Sequence, residues 1–376
     1  MFKTTQFLFL LSILLFRSCN ERKDQNAAVP DQYKLEQITV NLEKFHKETL
    51  DFNFTVRKNN VEYIILDTTI GINLNHLSKS VIDTNHIFFL SIRNNAIFIF
   101  GKDGSFISQH TNKSLNLGVL TDFSVSNEFL TIWDGKKDII SIFKISKNGG
   151  HLTKEVEIKP TFEINSFWKL NSGDYLATVS SWNVPSIEDE LLITDSRFET
   201  TKKGYYRNLG NADDDYILSN SYFHLFNNKI HLSHSTDNLT FLFDETGKLL
   251  RSVEIKYGEN APAKLLSSLE KNAYELSNYF FINGYTYITD NFIAGSISKG
   301  LSQKKSFIAD TLSRKLYIEN RPYSSFLSNT LGSYKDKIIS ILIPGQYNLA
   351  KDSDFISDEV KRALKKGAYV ICLTEL

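Results

Sequence analysis

Side chains suited to chemistry are sparse in this 376-residue sequence, and poorly spaced for it. Its eight histidines are His46, His76, His86, His110, His151, His224, His231 and His234. Only His231 and His234, in "HLSH", stand close together. On a strand, positions i and i+3 point to opposite faces, so this pair cannot chelate. No H-E-x-x-H, cysteine pair, P-loop glycine pattern or G-x-S-x-G elbow occurs. "NADDDY" (211–216) gathers three carboxylates but lacks the glycine and the distant glutamate of a calcium loop, so it reads as a solvated loop. These residues imply no metal site and no cofactor.

Aromatic residues offer more. "TIWDG" ends a strand, with Trp133 placed to pack between neighbouring units and Asp134 to bond its own turn. Trp168 and Trp182 flank a strand pair in "NSFWKLNSGDYLATVSSWNVPS". Tyr222 and His224 occupy the matching place one unit later, in "NSYFHLF". If these four side chains converge on a loop face, they can stack on a peptide or a sugar. Trp168, Trp182, Tyr222 and His224 are therefore the candidate ligand-binding residues, the alternative for the tryptophans being that they pack in the core.

The elements that would carry them repeat. "IFIFGKDGSFISQ" (97–109) and "TFLFDETGKLLRS" (240–252) share one frame: Phe100 and Phe243 each precede a turn glycine, Gly104 or Gly247, by four residues. Ile145 with Gly149 fits the same frame, and Ile193 and Ile308 fit it without the glycine. The anchors at 100, 145, 193, 243 and 308 recur every 45 to 65 residues, each unit holding several short strands. One four-stranded unit cannot cover both of its apolar faces, but units stacked in a ring can. The expected fold is all-β, a six-bladed β-propeller with short helical insertions. The last strand, in "AYVICLTEL", is expected to share a blade with residues near 40–61 and so close the ring. Helical spacing marks the insertions at 261–280 and 353–367, the second with Ser357 as its cap and Gly367 as its stop.

The first residues are of another kind. Lys3 precedes the ten-residue apolar run "FLFLLSILLF", too short to span a bilayer, which needs ~20 residues. A charged start, an apolar core and small residues read as an export signal. "FRSC" resembles a bacterial lipoprotein box, with Arg17 as its departure, and makes Cys19 the residue expected to carry lipid. Residues 1–18 then form the signal peptide, 19–39 a polar tether and 40–376 the propeller. The only other cysteine is Cys372, so no disulfide is expected. Lys plus Arg and Asp plus Glu both number 43, with no basic stripe, which argues against nucleic acid as a partner.

From Leu66, Asp67, Thr68 and Thr69 through the strand–turn–strand that closes on Phe100 and Gly104, the sequence resembles the six-bladed β-propeller lipoproteins of Bacteroidota. These are relatives of NHL- and TolB-type propellers, and the short C-terminal strand is also similar. The chain departs from that family at "HTNKSLNLGVLTDF", where members carry a Gly- and Pro-rich loop ending in an acid. The resemblance implies a lipid-anchored protein of the cell envelope, facing the periplasm or the cell surface. Residues and resemblance together lead to one expectation: a non-enzymatic module that binds a protein, peptide or glycan. The alternative is a hydrolase or lyase with its site at the central opening, drawing residues from distant blades that a linear search misses.

Overall fold

The computed structural model describes residues 37–376 apart from 55–60, 69–70, 75, 127, 180–190, 207–220, 235–237, 263–264, 266–271 and 301–303. The leader with Cys19, the acidic run at 211–216 and Trp182 lie outside the described residues.

Six sheets form six blades of a propeller. Blade one is a meander of Lys79–Ile82, His86–Ser91, Ala96–Gly101 and Phe106–Thr111, running from the inner strand outward. Blade two repeats it with Leu120–Ser126, Phe129–Asp134, Ile139–Ile145 and Leu152–Ile158. Blade three does so with Ile164–Lys169, Tyr175–Val179, Leu191–Thr194 and Thr201–Tyr206. Blade four follows with Ser221–Phe226, Lys229–His234, Leu239–Phe243 and Leu249–Lys256. Each of the five repeat anchors falls in the third strand of its blade or, in blade five, in the equivalent strand Lys305–Asp310.

Blades four to six are completed by the front of the chain. Gln37–Asn41 adds in parallel to the outer strand of blade four, and His46–Thr49 adds in parallel to the outer strand of blade five, Lys315–Ile318. Val61–Ile65 then becomes the outer strand of blade six, antiparallel to Val370–Glu375. The expected ring closure is present, and the segment that makes it first straps two other blades.

The core lies between blades. Ile87, Phe89, Phe98 and Phe100 of blade one pack on Ile339, Ile341 and Ile371 of blade six, and Phe88, Ile97 and Ile99 pack on Phe123, Leu130 and Phe143 of blade two. Strands that bury both faces read as near-continuous apolar runs, which is why "HIFFLS" and "AIFIFG" lack alternation. Trp133 is 1% exposed and packs with Ile140, Phe162 and Phe167 between blades two and three. The helix Asp358–Lys365 sits in the loop of blade six. The Ser357 side chain accepts from the Val360 amide at its N-terminus, and Gly367 follows with φ of +90°. In the earlier insertion, Ala273–Leu276 is helical among the described residues.

Candidate functional site

Blade five breaks the regularity of the ring. Its innermost strand is split into Phe280–Ile282 and Tyr287–Ile288. The inner strands of blades four and six meet directly in its place: the Asn227 amide donates to the Lys335 carbonyl at 3.1 Å, and the Ser333 hydroxyl donates to the Leu225 carbonyl at 2.6 Å. The space on the axis is filled by rings. The Tyr285 hydroxyl donates to the Ser78 carbonyl of blade one at 3.4 Å, and the Tyr287 hydroxyl donates to the Gly332 carbonyl of blade six at 2.7 Å. Both tyrosines are buried, and burial, the first cause for each, raises their phenol pKa well above the ordinary value.

Beside this plug a cavity of about 600 Å³ opens at the end of the ring where the inner strands begin. Its walls come from five blades: Lys79, Asp122, Ser166, Tyr222 and Tyr285 contribute one each, in blade order. In blades two and three the inner strands shift register between Leu120 and Asp122 and between Ile164 and Ser166. An extra residue of this kind re-aims the side chains around it, and here Asp122 and Ser166 line the opening.

The polar centre of the cavity is an ion pair. Lys79 Nζ lies 2.7 Å from Asp122 Oδ1, with side-chain exposures of 8% and 9%. Asp122 also accepts from the Phe123 amide on Oδ1 at 2.7 Å and from the Phe167 amide of blade three on Oδ2 at 3.1 Å. One carboxylate thus ties blades one, two and three together. An ammonium group has three N–H donors. Among the described residues, Lys79 uses one for Asp122 and lies over the Phe123 ring, 5.6 Å from its centroid. At the wall, Glu163 has a carboxyl pKa raised by burial and then by the charge of Asp138. Ser78, Thr121, Lys136 and Asn165 add to the polar lining.

The four side chains singled out in the sequence do not share one place. Tyr222 lines the cavity, its ring centroid 5.1 Å from that of Tyr285. His224, two residues along the same strand, is buried beneath, 4.7 Å from the Tyr287 ring and 5.0 Å from the His231 ring. Neither of its ring nitrogens has a well-formed hydrogen bond, and the Tyr222 backbone supplies only a weak one. Burial, then the neighbouring His231, holds its pKa well below the ordinary value. Trp168 is half-buried on the inner strand of blade three, two residues past Ser166, and is not part of the cavity lining. Trp182 lies outside the described residues.

Sequence reasoning missed Lys79 and Asp122. Their signal was phase: Lys79, Asp122 and Tyr222 stand 21, 23 and 21 residues before the anchors Phe100, Ile145 and Phe243. Asp134 behaves as its turn suggested. Burial alone would raise its pKa, but the amides of Gly118, Val119, Lys136 and Lys137 bond its carboxylate and hold it low. Among the described residues, no three His, Cys, Asp or Glu side chains gather closely enough to hold a metal ion.

No known protein family matches the sequence, and no curated protein does. Solved structures do match the fold. A candidate exported protein from Bacteroides fragilis superposes with a TM-score of 0.66 at 13% identity, over 91% of this chain and all of the other. A member of the DUF4221 family from Bacteroides vulgatus gives 0.47 at 7% identity, over 85% of this chain and 99% of the other. The chain thus shares its fold with the Bacteroides fragilis protein.

Proposed function

We propose that the protein is an exported binding module, held at the cell envelope through lipid on Cys19, that takes its ligand at the central cavity. The observation that carries this reading is the convergence of five blades on one opening around a buried lysine with donors to spare. Buried polar groups with unmet hydrogen-bonding capacity are costly, and a ligand can supply the missing partners. The Bacteroides fragilis structure, described as that of a candidate exported protein, supports export. The lipoprotein box around Cys19 and the polar stretch after it support the anchor.

The test has two parts, run on full-length protein expressed in a bacterial host with a lipoprotein pathway. Wild type is expected to partition with membranes and to carry a lipid-sized mass increase, both lost in Cys19→Ala. Heat-stability screening of the mature chain against fractionated envelope peptides and glycans is expected to give stabilising fractions, with Asn165→Ala reducing the effect. Soluble, unmodified protein overturns the anchor, and no stabilising fraction overturns the binding module.

A hydrolase or lyase has one observation in its favour, Glu163, whose raised pKa suits a proton donor. Turnover of a bound ligand, lost in Glu163→Gln with binding kept, would establish that reading instead.

A further inference from the structure

Resting on the binding reading above, we infer that the cavity receives a neutral sugar ring, with Lys79 donating to its hydroxyl or ring oxygens and Tyr222 packing against its C–H face. The argument begins with charge. The Lys79 ammonium is compensated by Asp122 at 2.7 Å, and both side chains are more than nine-tenths buried. An anionic ligand that approaches Lys79 meets the Asp122 carboxylate beside it. A cationic ligand meets Lys79 and Lys136. Burial of either charge without a full partner is expensive, so the site favours a neutral ligand.

Hydrogen-bonding capacity comes next. Asp122 is largely used: its two oxygens accept from Lys79 and from the amides of Phe123 and Phe167, three of about four acceptor sites. Lys79 is not: two of its donors lack a partner among the described residues. The ligand must therefore bring oxygen acceptors to Lys79. Asn165, half-buried in the same wall with no hydrogen bond among the described residues, offers both an acceptor and donors. Groups that donate and accept at once, as sugar hydroxyls do, match this mixture.

Shape and surface complete the argument. Tyr222 stands in the wall against Tyr285, and Leu90, Ile92 and Ile164 supply apolar surface. A pyranose presents polarised C–H bonds on one face, which the electron-rich face of an aromatic ring attracts. At about 600 Å³ the cavity lies in the range of small-ligand pockets. Its axis is plugged by Tyr285, so it receives a chain end rather than a through-running polymer.

The experiment is a direct binding titration of the mature protein by calorimetry and saturation-transfer NMR. The probes are methyl glycosides of glucose, galactose, mannose and N-acetylglucosamine, the matching uronic acids and amino sugars, and a capped neutral tripeptide. The expected result is saturable binding of at least one neutral glycoside, tighter than that of its charged counterparts. Lys79→Met should weaken it about 10- to 100-fold, as loss of a charge-assisted hydrogen bond does, and Asn165→Ala about 3- to 10-fold, as loss of a neutral one does. Asn165→Ala keeps the buried ion pair, so it reads the site even if Lys79→Met fails to fold. Tripeptide binding that depends on Asn165, with no glycoside bound, overturns the sugar assignment and leaves the binding module standing. Preference for uronic acids or amino sugars overturns the neutrality argument and with it this assignment. No binding of any probe overturns the sugar assignment, while the envelope-fraction screen separately decides the binding module.

Discussion

Asp122 does two jobs whose costs differ. As the partner of Lys79 it compensates a charge that burial would otherwise penalise, and as an acceptor for two backbone amides it fixes the register of blades two and three. Removing one partner of a buried pair leaves the other uncompensated, at a cost of about 3–5 kcal/mol. Asp122→Ala is therefore expected to lower unfolding free energy by that order in urea titrations. The double variant Lys79→Met, Asp122→Asn, which removes both charges and keeps an acceptor for one of the two amides, should recover part of the loss. The buried histidines give a pH signature. Burial, the main cause for each, depresses the pKa of both, to about 3 for His231. The unfolded chain then binds more protons than the folded one below about pH 6.5. Stability contributed by the pair is complete above that value and falls as pH drops toward 3, by up to ~1.4 kcal/mol per histidine per pH unit. Lowered Asp195, Asp244 and Asp310 act in a lower window, below about pH 4. Unfolding titrations at pH 7.5, 6.0 and 5.0 should show the slope, and His224→Phe with His231→Phe should flatten it, leaving the smaller share of His110, also depressed by burial.

Among the elements, the hairpin turns carried most of the legible signal. Phe100, Ile145, Ile193, Phe243 and Ile308 mark equivalent strands because each precedes or spans a tight turn whose chemistry is restricted, and periodicity detects restriction. Gly104 shows how local that restriction is. It has φ of +85°, and a Cβ there would stand 2.1 Å from the Ile65 carbonyl oxygen of blade six. Gly173 also has positive φ, at +90°, but open space around it. Gly173→Ala should cost only the left-handed backbone, about 1–2 kcal/mol, whereas Gly104→Ala must also displace the strand that closes the ring. Thermal unfolding of the two variants should rank them in that order. The parallel strands Gln37–Asn41 and His46–Thr49 were not legible, because four or five residues carry little periodicity and nothing local names a partner more than two hundred residues away. Lys79 and Asp122 escaped for the same reason: their meaning lies in a ring position, visible only once the repeat is laid out as blades.

At the scale of the molecule, the inter-blade core makes each blade depend on two neighbours, and the front of the chain joins three of them. A chain beginning at Leu66 lacks the outer strand of blade six and the added strands of blades four and five. It should expose three β-edges, and such edges template association. Size-exclusion chromatography is expected to show aggregates and calorimetry no cooperative melt, whereas a chain beginning at Gln37 should melt as the full-length protein does. The binding cavity belongs to this scale as well, since no blade contains it: Lys79, Asp122, Ser166, Tyr222 and Tyr285 come together only when the ring is closed.

The strap across blades four, five and six also sets a timetable. Thr39 bonds Glu254, 215 residues later, and Glu62 pairs with Lys337, 275 residues later. These strands therefore cannot pair until the outer strands of blades four and five and Val370–Glu375 of blade six exist, and they stay unpaired until then. Pairings of such long sequence separation form slowly, and unpaired strands in the meantime invite misassembly. Folding of this protein thus includes an interval in which these leading strands stand exposed, before the finished ring can shelter them.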